Sequence, residues 1–191
     1  MTESPTEEES SAEEAPPARP DELQFRASVI LADTAQIDPL GKVGILGAGW
    51  HVTSGQPAPG GGLQIAAQTV VVIVEVPATR TAEHFPIVVE MVDQDGRLVT
   101  AVQPNGPDLP LRFEQMVRAE PTMFAPRAFH SMTRLVLNFA VGMILPTDGI
   151  YRWRATIDGS SNEAWSAGFA VIPLGGPVPP NASQGRFIGP N

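Results

Sequence analysis

The sequence contains no cysteine among its 191 residues. That excludes disulfides, thiolate metal sites and cysteine nucleophiles, and it fits a reducing compartment. It also lacks long hydrophobic runs. The densest, Val70–Val74, is far below the roughly 20 residues that a membrane-crossing helix needs. The N-terminus has neither a basic start nor a following apolar stretch, so no secretory signal is expected. These absences together predict a cytoplasmic protein without a membrane role.

Basic clusters are missing as well. The formal charge of −9 divides unevenly along the chain. Residues 1–24 hold eight acids against one base, Arg19, which accounts for −7. The rest holds 13 acids against 11 bases, or −2. The body is therefore nearly neutral and offers no basic face to nucleic acid. Residues 1–23 are mostly Glu, Ser, Pro and Ala, which cannot bury enough apolar surface to offset their ordering entropy. They read as a disordered acidic tail. Residues 174–191 read as a second disordered tail, rich in Pro and Gly. Asn181-Ala-Ser183 matches a glycosylation sequon, by chance in a chain expected to stay inside the cell.

Between the tails, apolar residues recur with a period of two, the spacing of a strand with one buried face. FRASVILA (25–32) puts Phe25, Ala27, Val29 and Leu31 on one side, and KVGILGA (42–48) pairs Val43 with Ile45. QTVVVIVEV (68–76) is a β-branched run suited to a strand covered on both faces. FPIVVEMV (85–92) and RLVTAV (97–102) flank Asp95-Gly96, a strong hairpin signal. LRFEQMV (111–117) and TRLVLNFAV (133–141) follow. Then IYRWRATI (150–157) and EAWSAGFAVI (163–172) are separated by Asp158-Gly159. The last three are expected to be antiparallel neighbours. A short helical turn fits only Glu114–Met123. The expectation is an all-β chain: a single antiparallel β-sandwich over residues 24–173, with about nine strands and Ig/C2-like packing of two sheets.

One stretch imitates something else. KVGILGAGWHV (42–52) looks like a strand entering a dinucleotide-binding glycine loop. Such a loop needs a third glycine and then a helix to meet the pyrophosphate. Here the third position is Val52, and TSGQPAPGGGL (53–63) follows. Two prolines and four glycines rule out a helix there. Gly47 and Gly49 read instead as places where a strand bends or a backbone approaches closely, with Trp50 folding onto the core. The triple glycine 60–62 has no following Lys-Ser/Thr and reads as a flexible loop.

SVILADTAQID (28–38), GKVGILGAGW (41–50) and LPTDGIYRWRATIDG (145–159) resemble a family of uncharacterised bacterial and bacteriophage proteins. Its pattern is an LxDxAQxDxxGKxxxLGxGW opening and a PxGxYxWxxxxDG close. The similarity spans about residues 28 to 172. It implies one β-rich domain in a bacterial or phage setting, and it transfers no catalytic residue.

No catalytic constellation stands out by spacing. His51, His84 and His130 form no local metal motif. Asp33, Asp38, Asp93, Asp95, Asp148 and Asp158 sit at turns, where aspartate bonds nearby backbone; a Ca²⁺ site would require several to converge. No Gly-x-Ser-x-Gly elbow is present, and Ser131 beside His130 points to the opposite face of a strand. Tyr151 and Trp153 share a core face with Ala155 and Ile157, and Trp165 shares one with Ala167, Phe169 and Val171. Arg152 and Arg154 then form a solvent-facing cationic spot, with Arg134 as a candidate neighbour.

The expected function is a non-enzymatic interaction or structural module, without cofactor or metal, that binds an unknown protein partner or itself. The alternative is a small-ligand or Ca²⁺-binding domain, or a hydrolase, with a loop-end site. Its candidate residues are Asp33, Trp50, His51, His84 and Asp158.

Overall fold

The computed structural model describes residues 24–103, 106–120 and 131–175. The expected tail at 1–23, nearly all of that at 174–191, His130 and the 181–183 sequon lie outside the described residues. The chain is all-β. Its strands are β1 (Arg26–Ala32), β2 (Thr34–Ile37), β3 (Val43–Leu46), β4 (Val52–Pro57), β5 (Leu63–Ile65), β6 (Gln68–Val76) and β7 (His84–Asp93). There follow β8 (Thr100–Ala101), β9 (Leu109–Pro110), β10 (Arg112–Arg118), β11 (Ser131–Phe139), β12 (Met143–Leu145), β13 (Gly149–Ile157) and β14 (Ser160–Pro173). The five beyond the nine expected are β2, β4, β5, β9 and β12, pieces of two to six residues with little alternation to read. No described helix is long and apolar enough to cross a membrane.

A three-stranded sheet, β1-β6-β11, faces a seven-stranded sheet, β10-β7-β13-β14-β4-β5-β12, which curls as a half-barrel. Their inner faces share one core. Val70, Val72 and Val74 of β6 meet Ile87, Val89 and Met91 of β7 and Trp153 and Ile157 of β13 there. Burying each large apolar side chain contributes about 1.5–3 kcal/mol, which makes this core the main stabilising element. The aromatic parity holds: Tyr151, Trp153, Ala155, Ile157, Trp165, Phe169 and Val171 are all buried. The β-branched run of β6 is the central strand of its sheet, and Val71 on its outer face is also fully buried. The β2–β3 hairpin packs across that outer face, against β6 and β11.

Three local expectations are corrected. Glu114–Arg118 belongs to β10 and is not a helical turn, since it pairs residue by residue with β7. The sheet is not purely antiparallel: β4 runs parallel to β14, with Ala170 opposite Val52 and Pro173 opposite Gly55. The last three long strands are not all neighbours either. β13 and β14 pair, but β11 pairs with β6 in the other sheet, and short β12 carries the chain across. This also separates Arg134, on β11, from Arg152 and Arg154 on β13. Gly60–Gly62 close the β4–β5 hairpin, where Ala58 N–H donates to Gly62 O at 3.1 Å.

Candidate functional site

The Gly-Ala-Gly-Trp segment builds one end of the molecule. β1 ends at Ala32 and the chain turns at Asp33 into β2. Asp38 organises the hairpin tip: its carboxylate accepts from the N–H groups of Leu40 at 2.9 Å and Lys42 at 2.8 Å. This is the aspartate turn chemistry expected from the sequence, and Asp93 repeats it with Asp95 and Arg97. Coming back along β3, the chain is tied to β1 twice. Asp33 N–H donates to Leu46 O at 3.1 Å, and Gly49 N–H donates to Leu31 O at 3.2 Å.

Gly47 lies between those ties with φ of +66°, and a Cβ there would collide with the Asp33 carboxyl. So Gly47 is where Asp33 packs, which answers why the strand runs into glycine. Trp50 then lays its indole edge-on against Phe169, centroids 5.6 Å apart. No helix follows; β4 does. Gly47→Ala is expected to cost about 1–2 kcal/mol, the penalty of a side chain in left-handed backbone. The obstacle is a side chain that can swing away, so the fold survives while Asp33 is displaced. Urea denaturation checks this, and a loss above about 3 kcal/mol would place backbone in the way instead.

Asp33, Gly47 and Trp50 line a cavity of about 430 Å³ with Thr53, Ile65 and Gln68. Gln68 is 2% exposed, yet its Oε1 has no hydrogen-bond partner, and neither does the buried Nε1 of Trp50. The Gln68 Nε2 donates to Met143 Sδ at 3.6 Å. Buried polar atoms are normally paired; these two and the Nε1 of Trp153 are the buried side-chain atoms left without a partner among the described residues.

The other predicted residues go elsewhere. His51 is exposed, and its carbonyl accepts from Ala170 N–H at 2.8 Å, holding β4 beside β14. His84 is exposed at the start of β7. Asp158 lines a different cavity of about 500 Å³, with Phe25, Arg26, Arg80 and Trp165. Arg26 begins β1 and Asp33 follows its end. The two cavities are thus about 20 Å apart at about 3.3 Å per residue. At the Asp158 end Arg80 holds everything: its Nη2 donates to Asp158 at 2.8 Å, its Nε bonds Glu83, and it stacks 5.4 Å from the Phe25 ring centroid. Those hydrogen bonds, to Asp158 first and Glu83 second, push the Arg80 pKa up. This is an ion-pair clasp with its acceptors already engaged. A third concavity, about 260 Å³, lies beside the Asp93 turn and holds Arg152, Asn162 and Glu163, all exposed and free to bond water.

No group of three or more His, Asp or Glu side chains fit to hold a metal occurs among the described residues. Sequence reading named Asp33 and Trp50 but missed Gln68. Its signal was available: Gln68 shares the parity of Val70, Val72 and Val74, a polar residue on a core face.

The model of a family of unknown function, DUF6941, matches residues 27–169. No curated protein matches the chain.

Proposed function

The chain belongs to the DUF6941 family, and from that premise we propose a non-enzymatic interaction module whose contact surface is the β2–β3 hairpin. The observation that carries this reading is the exposure of large apolar side chains there. Leu40 is 81% exposed and Leu46 70% exposed. Leu40 sits on a tip fixed by the two Asp38 hydrogen bonds and by Gly41 N–H donating to Asp38 O at 2.9 Å. A rigid apolar knob loses little entropy when a partner covers it. The partner is another protein or a second copy of the chain. The reading includes a cytoplasmic bacterial or phage setting, one domain over residues 24–173, and terminal extensions that solvate it.

Leu40→Asp tests this, because the tip is already polar in its backbone bonding and tolerates the change. The wild-type protein is expected to sediment above the mass of one chain, or to retain a partner through purification. The variant is expected to lose that association with an unchanged melting temperature. A wild-type chain that stays monomeric and retains nothing sinks the proposal, as does an association that Leu40→Asp leaves intact.

A further inference from the structure

We propose that β10 is a self-association edge: it pairs antiparallel with β10 of a second copy about a two-fold axis at Met116, joining two seven-stranded sheets into one. The inference goes beyond the hairpin reading, since it uses a different surface and commits to its occupant.

β10 is the last strand of its sheet, and among the described residues β7 is the strand that pairs with it. The other side of an edge strand presents backbone groups that a further strand can take. One bond shows which groups those are. Met91 N–H donates to Leu111 O at 2.8 Å, and Arg112 stands opposite Glu90. Arg112 and Glu90 are therefore a non-hydrogen-bonded pair, and the alternation of an antiparallel ladder continues from there. The N–H and C=O groups of Arg112, Glu114, Met116 and Arg118 point to the free side. The same residues carry their side chains on the outer face, because Phe113 and Val117 face the core.

Along that face the residues read plus, minus, apolar, plus, minus: Arg112, Glu114, Met116, Arg118 and Glu120. All five are exposed, Met116 at 57%. Reversed, the pattern is its own complement. With Met116 opposite Met116 of the second copy, Glu114 meets Arg118 and Arg112 meets Glu120, each pair twice, as a two-fold axis requires. Opposite charges directly across a ladder stabilise it, and like charges destabilise it. Centring the axis on Gln115 would set Arg112 against Arg118, and centring it on Val117 would set Glu114 against Glu120. Edge charges ordinarily keep a strand single. Here their order repels the neighbouring registers and favours one. Within one copy, Glu114 and Glu120 have long contacts along their own strand, to Arg112 at 3.8 Å and to Arg118 at 3.5 Å.

The chain has no cysteine, so Met116→Cys in the full chain carries a single thiol. Across a hydrogen-bonded antiparallel pair the Cα atoms lie about 5.5 Å apart, within disulfide range. Mild oxidation with diamide is expected to convert most of the Met116→Cys chain to a covalent dimer at about 0.1 mM, a concentration suited to a small and weak interface. Val141→Cys, at a position 89% exposed elsewhere, reads random collision and stays monomeric. Leu40→Cys reads the hairpin separately, so either surface can fail without the other. In sedimentation, Arg118→Glu is expected to weaken dimerisation by about tenfold or more, because both Glu114–Arg118 pairs become repulsive. Glu114→Arg combined with Arg118→Glu exchanges the signs, makes both pairs attractive again and recovers the wild-type dimer. Both side chains are exposed, so these variants fold. A wild-type chain that is monomeric at that concentration overturns the proposal. So does a Met116→Cys chain that cross-links no more than Val141→Cys, or a double exchange that dimerises no better than Arg118→Glu alone.

Discussion

Replacing Arg112 and Arg154 together by alanine is expected to lower stability by about 3–5 kcal/mol, the range for leaving a buried charge without its partners. The charge is Glu90, 9% exposed on β7. Arg112 Nη1 donates to its Oε2 and Arg154 Nε to its Oε1, each at 2.9 Å. Register places both directly opposite it: Arg112 pairs with Glu90 across β10–β7, and Arg154 pairs with Glu90 across β13–β7. The three side chains thus form one row over three adjacent strands. Either arginine alone still neutralises the carboxylate, so each single variant is expected to lose only about 1 kcal/mol, as for a half-exposed surface pair. The double variant exceeds the sum, and a double-mutant cycle measures that excess. Adding Glu90→Leu to the double variant is expected to restore most of the loss, because no buried charge then remains. If the triple variant is as unstable as the double, the arginine stems were packing and the row is not electrostatic. Urea denaturation midpoints at constant slope are the measurement.

Gly142→Ala is expected to cost about 3 kcal/mol or more, against about 1–2 kcal/mol for Gly47→Ala. Both glycines have positive φ, +71° and +66°. The difference lies in what a Cβ would strike. At Gly47 it strikes the Asp33 side chain, which can rotate; at Gly142 it strikes the carbonyl of Ile65 and the backbone of Ala66, which cannot. Gly142 also sits where the chain leaves β11 for β12, that is, where it changes sheets. A shift there would separate β12 from β5, whose register pairs Met143 with Ile65 and Leu145 with Leu63. Met143 is in turn the partner of Gln68. The variant should therefore disturb the cavity as well as the fold, seen as altered tryptophan fluorescence before unfolding begins. Equal costs at the two positions would mean that φ alone matters and that close backbone contact does not.

The candidate site was half legible in the sequence, and the two halves differ for a physical reason. Asp33 and Trp50 were visible because they are local: a turn aspartate, and an indole beside two glycines, which take left-handed backbone with φ of +66° and +88°. Their meeting in one cavity follows from the hairpin between them, a contact within about 20 residues of chain. Gln68 was not visible as part of that site. It begins a different strand, and nothing local says which cavity the start of that strand lines. Asp158 and His84 were grouped with Asp33 because loops gather at the ends of sandwich folds. Which end each loop reaches depends on strand direction, and Asp158 lies with Arg80 beyond the other end of β1.

Side-chain alternation, turn chemistry and the two prolines after Trp50 were enough, on their own, to establish an all-β chain, its buried faces and the absence of a dinucleotide loop. Those properties are local: a period of two and a proline-broken helix act within a few residues. Strand partners were decided only by the tertiary structure. A period of two says which side of a strand is buried and is silent on which strand lies alongside. The parallel pairing of β4 with β14, the transfer of β11 to the smaller sheet and the lodging of Gln68 against Met143 all depend on residues far apart in sequence. They are set by how the whole core closes.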